Sequence, residues 1–414
     1  MRVRDVVRTI SILGPAVLVS VELFDPASIV TSTASGSAFG FTILWAAFYS
    51  GLLLIVIQEA GARLGVITGK TLAENIYQRY GRRSSFLFFA ASLFLDFGTM
   101  TAEVMGLSLA ISFLSGVPYP AAVLVSALIT AVLASFFSYH LLERIIMFLV
   151  LAIFLAYGYF LFALNIPIGT IVFHSVVPSL DPRSFFSAEA IIGATIMPTY
   201  IILHSGLVCE KGWIHDHHKP IDKLMGEETE HVACERIDSV FSLFMGTILN
   251  IMIIASAAVL IAGRSVNSFL DIAYPFFDRL GTPGLVLFAV TFIFAGIAAV
   301  ITLGLGSVYN TLGFLGFDER LAKRRFKLVF ILWLAIAAAA SFLPNPVQII
   351  VLTQYLNAAL LPFILAPLLL LTMDAKLMGS YRLGKGMIII ISLTILLTAF
   401  LFLGSLGSLL GILH

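Results

Sequence analysis

The sequence predicts an all-α membrane protein of about eleven transmembrane helices, built as two inverted five-helix repeats with discontinuous first and sixth helices and one extra helix. Three observations carry this prediction. The chain is 60% hydrophobic and only 11% charged, about half the charge of a soluble domain, so lipid must replace water around most of it. Eleven apolar stretches approach or exceed the roughly 20 residues needed to cross the hydrocarbon. The Lys and Arg residues collect in alternate loops, as they do when those loops face the cytoplasm.

The stretches lie near residues 9–36, 41–65, 85–115, 118–138 and 143–164, then 187–212, 238–263, 283–313, 326–343, 346–373 and 385–412. One transmembrane domain therefore occupies 1–414, with repeats at about 9–164 and 187–373 and the extra helix at about 385–412. Met1–Arg8 is basic and leads into an apolar run that holds Glu22 and Asp25 and lacks a small-residue cleavage pattern. It reads as a retained span and not a signal peptide. With the N-terminus inside, the inner segments hold 20 of the 24 basic residues, among them Arg79, Arg82, Arg83, Arg324, Arg325 and Lys376. The outer loops hold only Arg183, Arg264 and Arg279, while Arg63 stands at the inner end of the second span. A missed or invented span would erase this bias. The expected location is the cell membrane, multi-pass, with a cytoplasmic N-terminus and His414 outside. A net charge of +1 argues against a nucleic-acid partner, and two cysteines, Cys209 and Cys234, are too few for a disulfide framework.

The first span is interrupted by Asp25-Pro26 and the sixth by Met197-Pro198. Proline removes a backbone donor and breaks a helix. Unwound backbone at membrane depth is tolerated only where protein buries it or it lines a cavity. Breaks five spans apart suggest the inverted repeats of a LeuT-type carrier, whose substrate site lies at the breaks. Charges at this depth are costly, which makes Glu22, Asp25, Asp96 and Glu103 candidate functional groups. Glu22 and Asp25 share a face if the helix persists to Asp25, and two carboxylates at one break favour a cation. Met197 adds a thioether, which favours a softer transition metal; its plain alternative is gap filling. Asp96 and Glu103, two helical turns apart, form either a relay or, for Asp96, a bond to a neighbouring helix near the interface. His204 is the one histidine well inside a span, either structural or a relay group. The loop from Cys209 to Cys234 holds His215, His217, His218 and His231. Its spacing fits no standard zinc motif, so it reads as solvated.

These residues resemble the natural resistance-associated macrophage protein (Nramp) family of divalent metal transporters. The most specific stretch is Arg63-Leu64-Gly65-Val66-Ile67-Thr68-Gly69-Lys70 with Leu72-Ala73-Glu74. Asp25-Pro26-Ala27-Ser28 is similar to the family's Asp-Pro-Gly-Asn. Ala194-Thr195-Ile196-Met197-Pro198, followed by His204-Ser205, resembles the sixth-span motif. Asp238 and Asn250 in the seventh span, and Thr353-Gln354 with Leu361-Pro362-Phe363 in the tenth, extend the likeness across ten spans. The resemblance implies metal held by Asp25, Ser28, the Ala194 carbonyl and Met197, with Gln354 joining in some states and Glu22 as an added carboxylate. It also implies Glu103 as a proton-relay candidate, beside Asp96 and His204, which their positions add.

The departures are equally specific. Ser28 replaces an asparagine, Ala27 a glycine and Glu22 a small neutral residue. Thr199 replaces the histidine after the proline, and Met100 an aspartate three before Glu103. The ninth span lacks a buried arginine. Titratable groups are lost, so proton coupling is not expected. The expected function is alternating-access transport of a divalent transition metal, manganese or iron(II), into the cytoplasm by a monomer in the lipid bilayer, with the ion as cargo and no cofactor. Two other readings stay open: an uncoupled magnesium transporter of a related branch, and a metal sensor that moves nothing. An intramembrane enzyme is disfavoured, since no His-Glu-x-x-His occurs.

Overall fold

The structure, a computed structural model, describes residues 15–136, 166–211, 221–317 and 323–409 with parts of 148–162, and side chains in 221–235 are not among them. Most of the fifth predicted span, the N-terminal Arg2, Arg4 and Arg8, the loop histidines His215, His217 and His218, and His414 thus lie outside the described residues, whereas His231 and Cys234, expected in a solvated loop, fall within the helix Ile221–Leu260. Among the described residues every regular element is helical.

The first span comprises α1, Pro15–Val19, a 3-10 turn at Ser20–Leu23, and α2, Pro26–Phe39. The second is α3, Leu44–Thr68, and the third and fourth are α5, Phe86–Ser115, and α6, Tyr119–Phe136, with the connector α4, Leu72–Ser84, before them. Outside any span lies α7, Ile168–Val176. The sixth span is split into α8, Phe185–Thr195, and α9, Pro198–Glu210. Then follow α10, Ile221–Leu260, α11, Phe269–Leu315, α12, Arg324–Ala340, α13, Pro346–Met373, and α14, Lys385–Leu409.

Packing explains the apolar sequence. Outward positions are large and hydrophobic, such as Leu128 and Leu403, each about two-thirds exposed, whereas Glu22, Asp25, Asp96, Glu103, Asn250 and Asn310 are buried. That inversion of a soluble protein is what a lipid surround requires. Inside, α10 packs on α2 and α3, α11 on α5, and α8 on α13. The α8–α13 approach is close enough to demand glycine. A Cβ on Gly193 would lie 2.7 Å from Ala358 N and strike the Gln354 carbonyl.

Three local readings change. The helix does not persist from Glu22 to Asp25: a 3-10 turn ends at Leu23, and Phe24 has φ −145° and ψ 17°, so the two acids do not share a helical face. The eighth stretch begins earlier, at Phe269, and α11 bends at Gly281, which has φ 66°; its polar start, with Asp271 and Asp278, explains why hydropathy placed the onset later. The segment after the second span is helical. Gly69, at φ 65°, closes α3 in the left-handed conformation that glycine tolerates. Thr71 and Glu74 then form a reciprocal capping box that starts α4.

Candidate functional site at the two helix breaks

Proline sets both breaks. Pro26 opens α2 at its first turn, where its missing N–H leaves no helical bond unmade. Asp25 caps that turn, its Oδ1 accepting the Ser28 N–H at 2.7 Å. Pro198 opens α9 in the same way, after Met197 with φ −84° and ψ 124°. The interruption therefore leaves two helix C-terminal ends, at Glu22 and Ala194, and two helix N-terminal ends facing the same region.

Ser28 ties the breaks together. Its Oγ lies 2.7 Å from the Glu22 carbonyl oxygen and 3.0 Å from the Ala194 carbonyl oxygen, and its single hydroxyl proton is directed at both. Asn250 of α10 adds a second tie. It accepts from Ser32 Oγ of α2 at 2.6 Å and donates to Thr195 Oγ1 of α8 at 3.3 Å. Asp238, the other seventh-span match, accepts the Ala16 N–H at 2.9 Å at the start of α1.

The acids occupy distinct surroundings. Asp25 Oδ2 is buried with no hydrogen-bond partner. Glu103 of α5 faces Asp25 and the Ala27 backbone N–H, with neither oxygen in a hydrogen bond of ordinary geometry. Glu22 points elsewhere: its Oε2 accepts the Met197 N–H at 3.3 Å and its Oε1 accepts from Gln58 Nε2 at 2.9 Å. Gln58 Oε1 in turn pairs with His204 Nδ1 at 3.3 Å. An amide oxygen can only accept, so His204 carries its proton on Nδ1 and leaves Nε2, buried and unpartnered, as an acceptor. Sequence reasoning missed Gln58; its place as a polar residue in an apolar span, five residues before Arg63, was the available signal.

Asp96 is buried and both its carboxylate oxygens are engaged by neighbouring helices. Thr199 Oγ1 donates to its Oδ1 at 2.5 Å and Asn310 Nδ2 to its Oδ2 at 2.7 Å. Thus α5, α9 and α11 meet at this residue. Gln354 of α13 is also buried. Its Oε1 accepts from Asn357 Nδ2 at 2.9 Å, while its Nε2 has no partner. Met197 is enclosed at the sixth-span break. Among the described residues no three His, Cys, Asp or Glu side chains come close enough together to form a metal cluster, so any ion here relies on carbonyl, hydroxyl, amide or thioether atoms beside its carboxylate.

A many-helix membrane carrier with paired broken helices is the class that this fold and site define. The chain belongs to the natural resistance-associated macrophage protein-like family, Nramp, whose sequence profile matches residues 16–407. It is 28% identical over 394 residues to the divalent metal cation transporter MntH of Mesorhizobium japonicum, covering 92% of this chain and 84% of that protein. It is likewise 28% identical over 391 residues to the transporter of the same name from Deinococcus radiodurans, covering 91% and 85%. The Eremococcus coleocola manganese transporter, solved with an aromatic bis-isothiourea compound, superposes with a TM-score of 0.79 at 23% identity, covering 99% and 88%. Mhp1, a nucleobase-cation-symport-1 family transporter solved with bromovinylhydantoin, shares the fold at a TM-score of 0.61 and 16% identity, covering 97% and 91%. Cargo therefore follows from the site and not from the fold.

Proposed function

We propose that this protein moves a divalent transition-metal ion, manganese or iron(II), across the membrane into the cytoplasm by alternating access. Members of its family are transporters and not enzymes. One observation supports the reading most: at the meeting of the breaks, two helix C-terminal carbonyls, those of Glu22 and Ala194, converge on one hydroxyl beside a carboxylate with an uncompensated oxygen. Helix C-termini carry negative partial charge, and the Asp25 anion adds to it, so the arrangement suits a cation.

In this reading Asp25 supplies the anionic ligand and Met197 the soft one. Ser28 turns its hydroxyl so that a lone pair, and not the proton, faces the ion, which frees the Ala194 and Glu22 carbonyls. Gln354 joins when its amide rotates to present Oε1. The Glu22 carboxylate holds the sixth-span break through the Met197 N–H and adds negative charge nearby. Two inverted repeats, about 9–164 and 187–373, rock around the site, with the helix at 385–412 outside them, the N-terminus cytoplasmic, the C-terminus outside and the protein acting as a monomer. Glu103, Asp96 and His204 are the relay candidates. His204 meets Glu22 only through Gln58, an amide that does not titrate in the working range, so flux follows the metal gradient and membrane potential. Radioactive manganese uptake into proteoliposomes, beside magnesium and with internal pH recorded, tests this. Saturable manganese uptake with little acidification is expected. Magnesium as the better substrate would overturn the soft-metal assignment in favour of the magnesium branch, and binding without uptake would favour a sensor.

A further inference from the structure

The sixth span carries a second acid that the proposed ligand set does not use. Glu189 of α8 is completely buried, about 6 Å along the helix from Phe185 at 1.5 Å per residue. It stands toward the end of the bundle opposite the basic loops. Its Oε2 is 3.1 Å from Ser405 Oγ of α14, and its Oε1 has no partner. Ser405 Oγ also lies 2.9 Å from the Phe402 carbonyl and 2.8 Å from the Tyr355 hydroxyl of α13. Phe186 stacks on the Tyr355 ring at 4.7 Å. The cluster thus joins α8, α13 and α14, one residue from Gln354.

Proton count and counter-charge together bear on its form. Serine has one hydrogen to donate and two lone pairs. If Glu189 is the acid, its O–H donates to Ser405, Tyr355 O–H donates to the second lone pair of Ser405, and Ser405 donates to the Phe402 carbonyl. Every hydrogen then has an acceptor. If Glu189 is ionised, Ser405 must donate to it instead of to Phe402, and the charge keeps that single donor. The titratable groups on the packed elements do not supply a counter-charge. On α13 only Tyr355 titrates, and α2 offers none. Glu59 and Arg63 of α3 pair with each other, and Tyr49 donates to the Val176 carbonyl. Lys385 starts α14 at the other membrane face, the exposed Asp181–Arg183 pair precedes α8, and Glu22 is held by Gln58 and Met197.

We propose that Glu189 is a proton-binding positioning residue. In its acid form it docks the first half of the broken sixth helix to α13 through Ser405 and Tyr355, and so sets how Gln354 addresses the break. Loss of the proton to the compartment opposite the basic loops releases that dock. The proposal rests on the transport reading for its consequence, but the protonation itself does not.

Two measurements on the full chain test it. Infrared difference spectra between the unaltered protein and Glu189→Gln are expected to show the carbonyl stretch of a protonated carboxyl that the variant lacks and that fades as pH rises. In proteoliposomes, manganese uptake by the unaltered protein is expected to fall several-fold as pH rises on the side opposite the basic loops. Glu189→Gln, which keeps a donor of the same size, should hold its uptake nearly flat. Glu189→Leu should lose about fivefold at all pH values, the worth of one buried hydrogen bond. Absence of the difference band overturns the protonation. A shared pH profile for the unaltered protein and Glu189→Gln overturns the positioning role. No manganese uptake by the unaltered protein would defeat the transport reading and leave the infrared result to decide protonation.

Discussion

Asp25→Asn isolates charge from structure at the proposed site. Asparagine caps a helix about as well as aspartate, so the Ser28 N–H contact at 2.7 Å is retained and α2 should start where it does now. What disappears is the negative charge whose Oδ2 no donor compensates. At about 4 Å and an effective dielectric of about 20, a carboxylate attracts a dication by about 8 kcal/mol before dehydration is counted. If only a third survives the loss of hydration, about 2.7 kcal/mol remains, roughly a hundredfold in Kd. Calorimetric titration of manganese chloride into the detergent-solubilised variant should therefore show affinity reduced by about a hundredfold or more, with the thermal transition unmoved. Asp25→Ala should do the same and lose about 1 kcal/mol of stability with the cap. A folded Asp25→Asn protein whose manganese Kd stays within threefold of the original would refute the assignment of Asp25 as the anionic ligand.

Met197→Ala should impair manganese, iron(II) and cadmium uptake more than magnesium uptake, because a thioether favours softer ions; equal losses for all four in a flux assay would remove the selectivity argument. Glu22→Gln should leave the pH inside manganese-loading vesicles as nearly unchanged as in the unaltered protein, read with an internal dye. Robust acidification that vanishes in this variant would instead make Glu22 the coupling acid. Asn250→Ala breaks the tie between Ser32 and Thr195 and should cost about 1–3 kcal/mol of stability by leaving buried hydroxyls unmatched. A melting temperature and uptake rate unchanged in that variant would show the tie to be dispensable.

Span positions were legible because lipid imposes a coarse rule, a long apolar run per crossing with basic loops on alternate sides, and that rule survives boundary errors of several residues. The breaks were legible for a similar reason, since proline cannot be satisfied inside a regular helix wherever it falls. Side-chain direction was not. The spacing of Glu22 and Asp25 suggests one shared face, but a 3-10 turn and the extended Asp25 send the first acid to Gln58 and Met197 and the second toward Glu103. Gln58 and Glu189 were invisible as members of a network because their partners lie 36 and 216 residues away, and hydropathy does not distinguish a hydrogen-bonded polar group from an isolated one.

The same contacts explain how the chain tolerates its departures from family pattern. Thr199, where the family has a histidine, does not leave a gap: its hydroxyl reaches Asp96, which Asn310 also holds, so a group that titrates is replaced by a fixed link among α5, α9 and α11. Ser28, shorter than asparagine, reaches both break carbonyls directly. Glu22, bulkier than the small residue it replaces, uses its length to hold the Met197 N–H that the broken helix would otherwise leave unpaired. Each of these three side chains thus makes a hydrogen bond to a break or to a neighbouring helix, and Thr199 does so in place of a group that titrates. In the proposed reading, a carrier altered in this way keeps its two breaks and its negative focus for a cation while Thr199 and Met100 no longer titrate, which is the physical basis for expecting metal flux with little acidification.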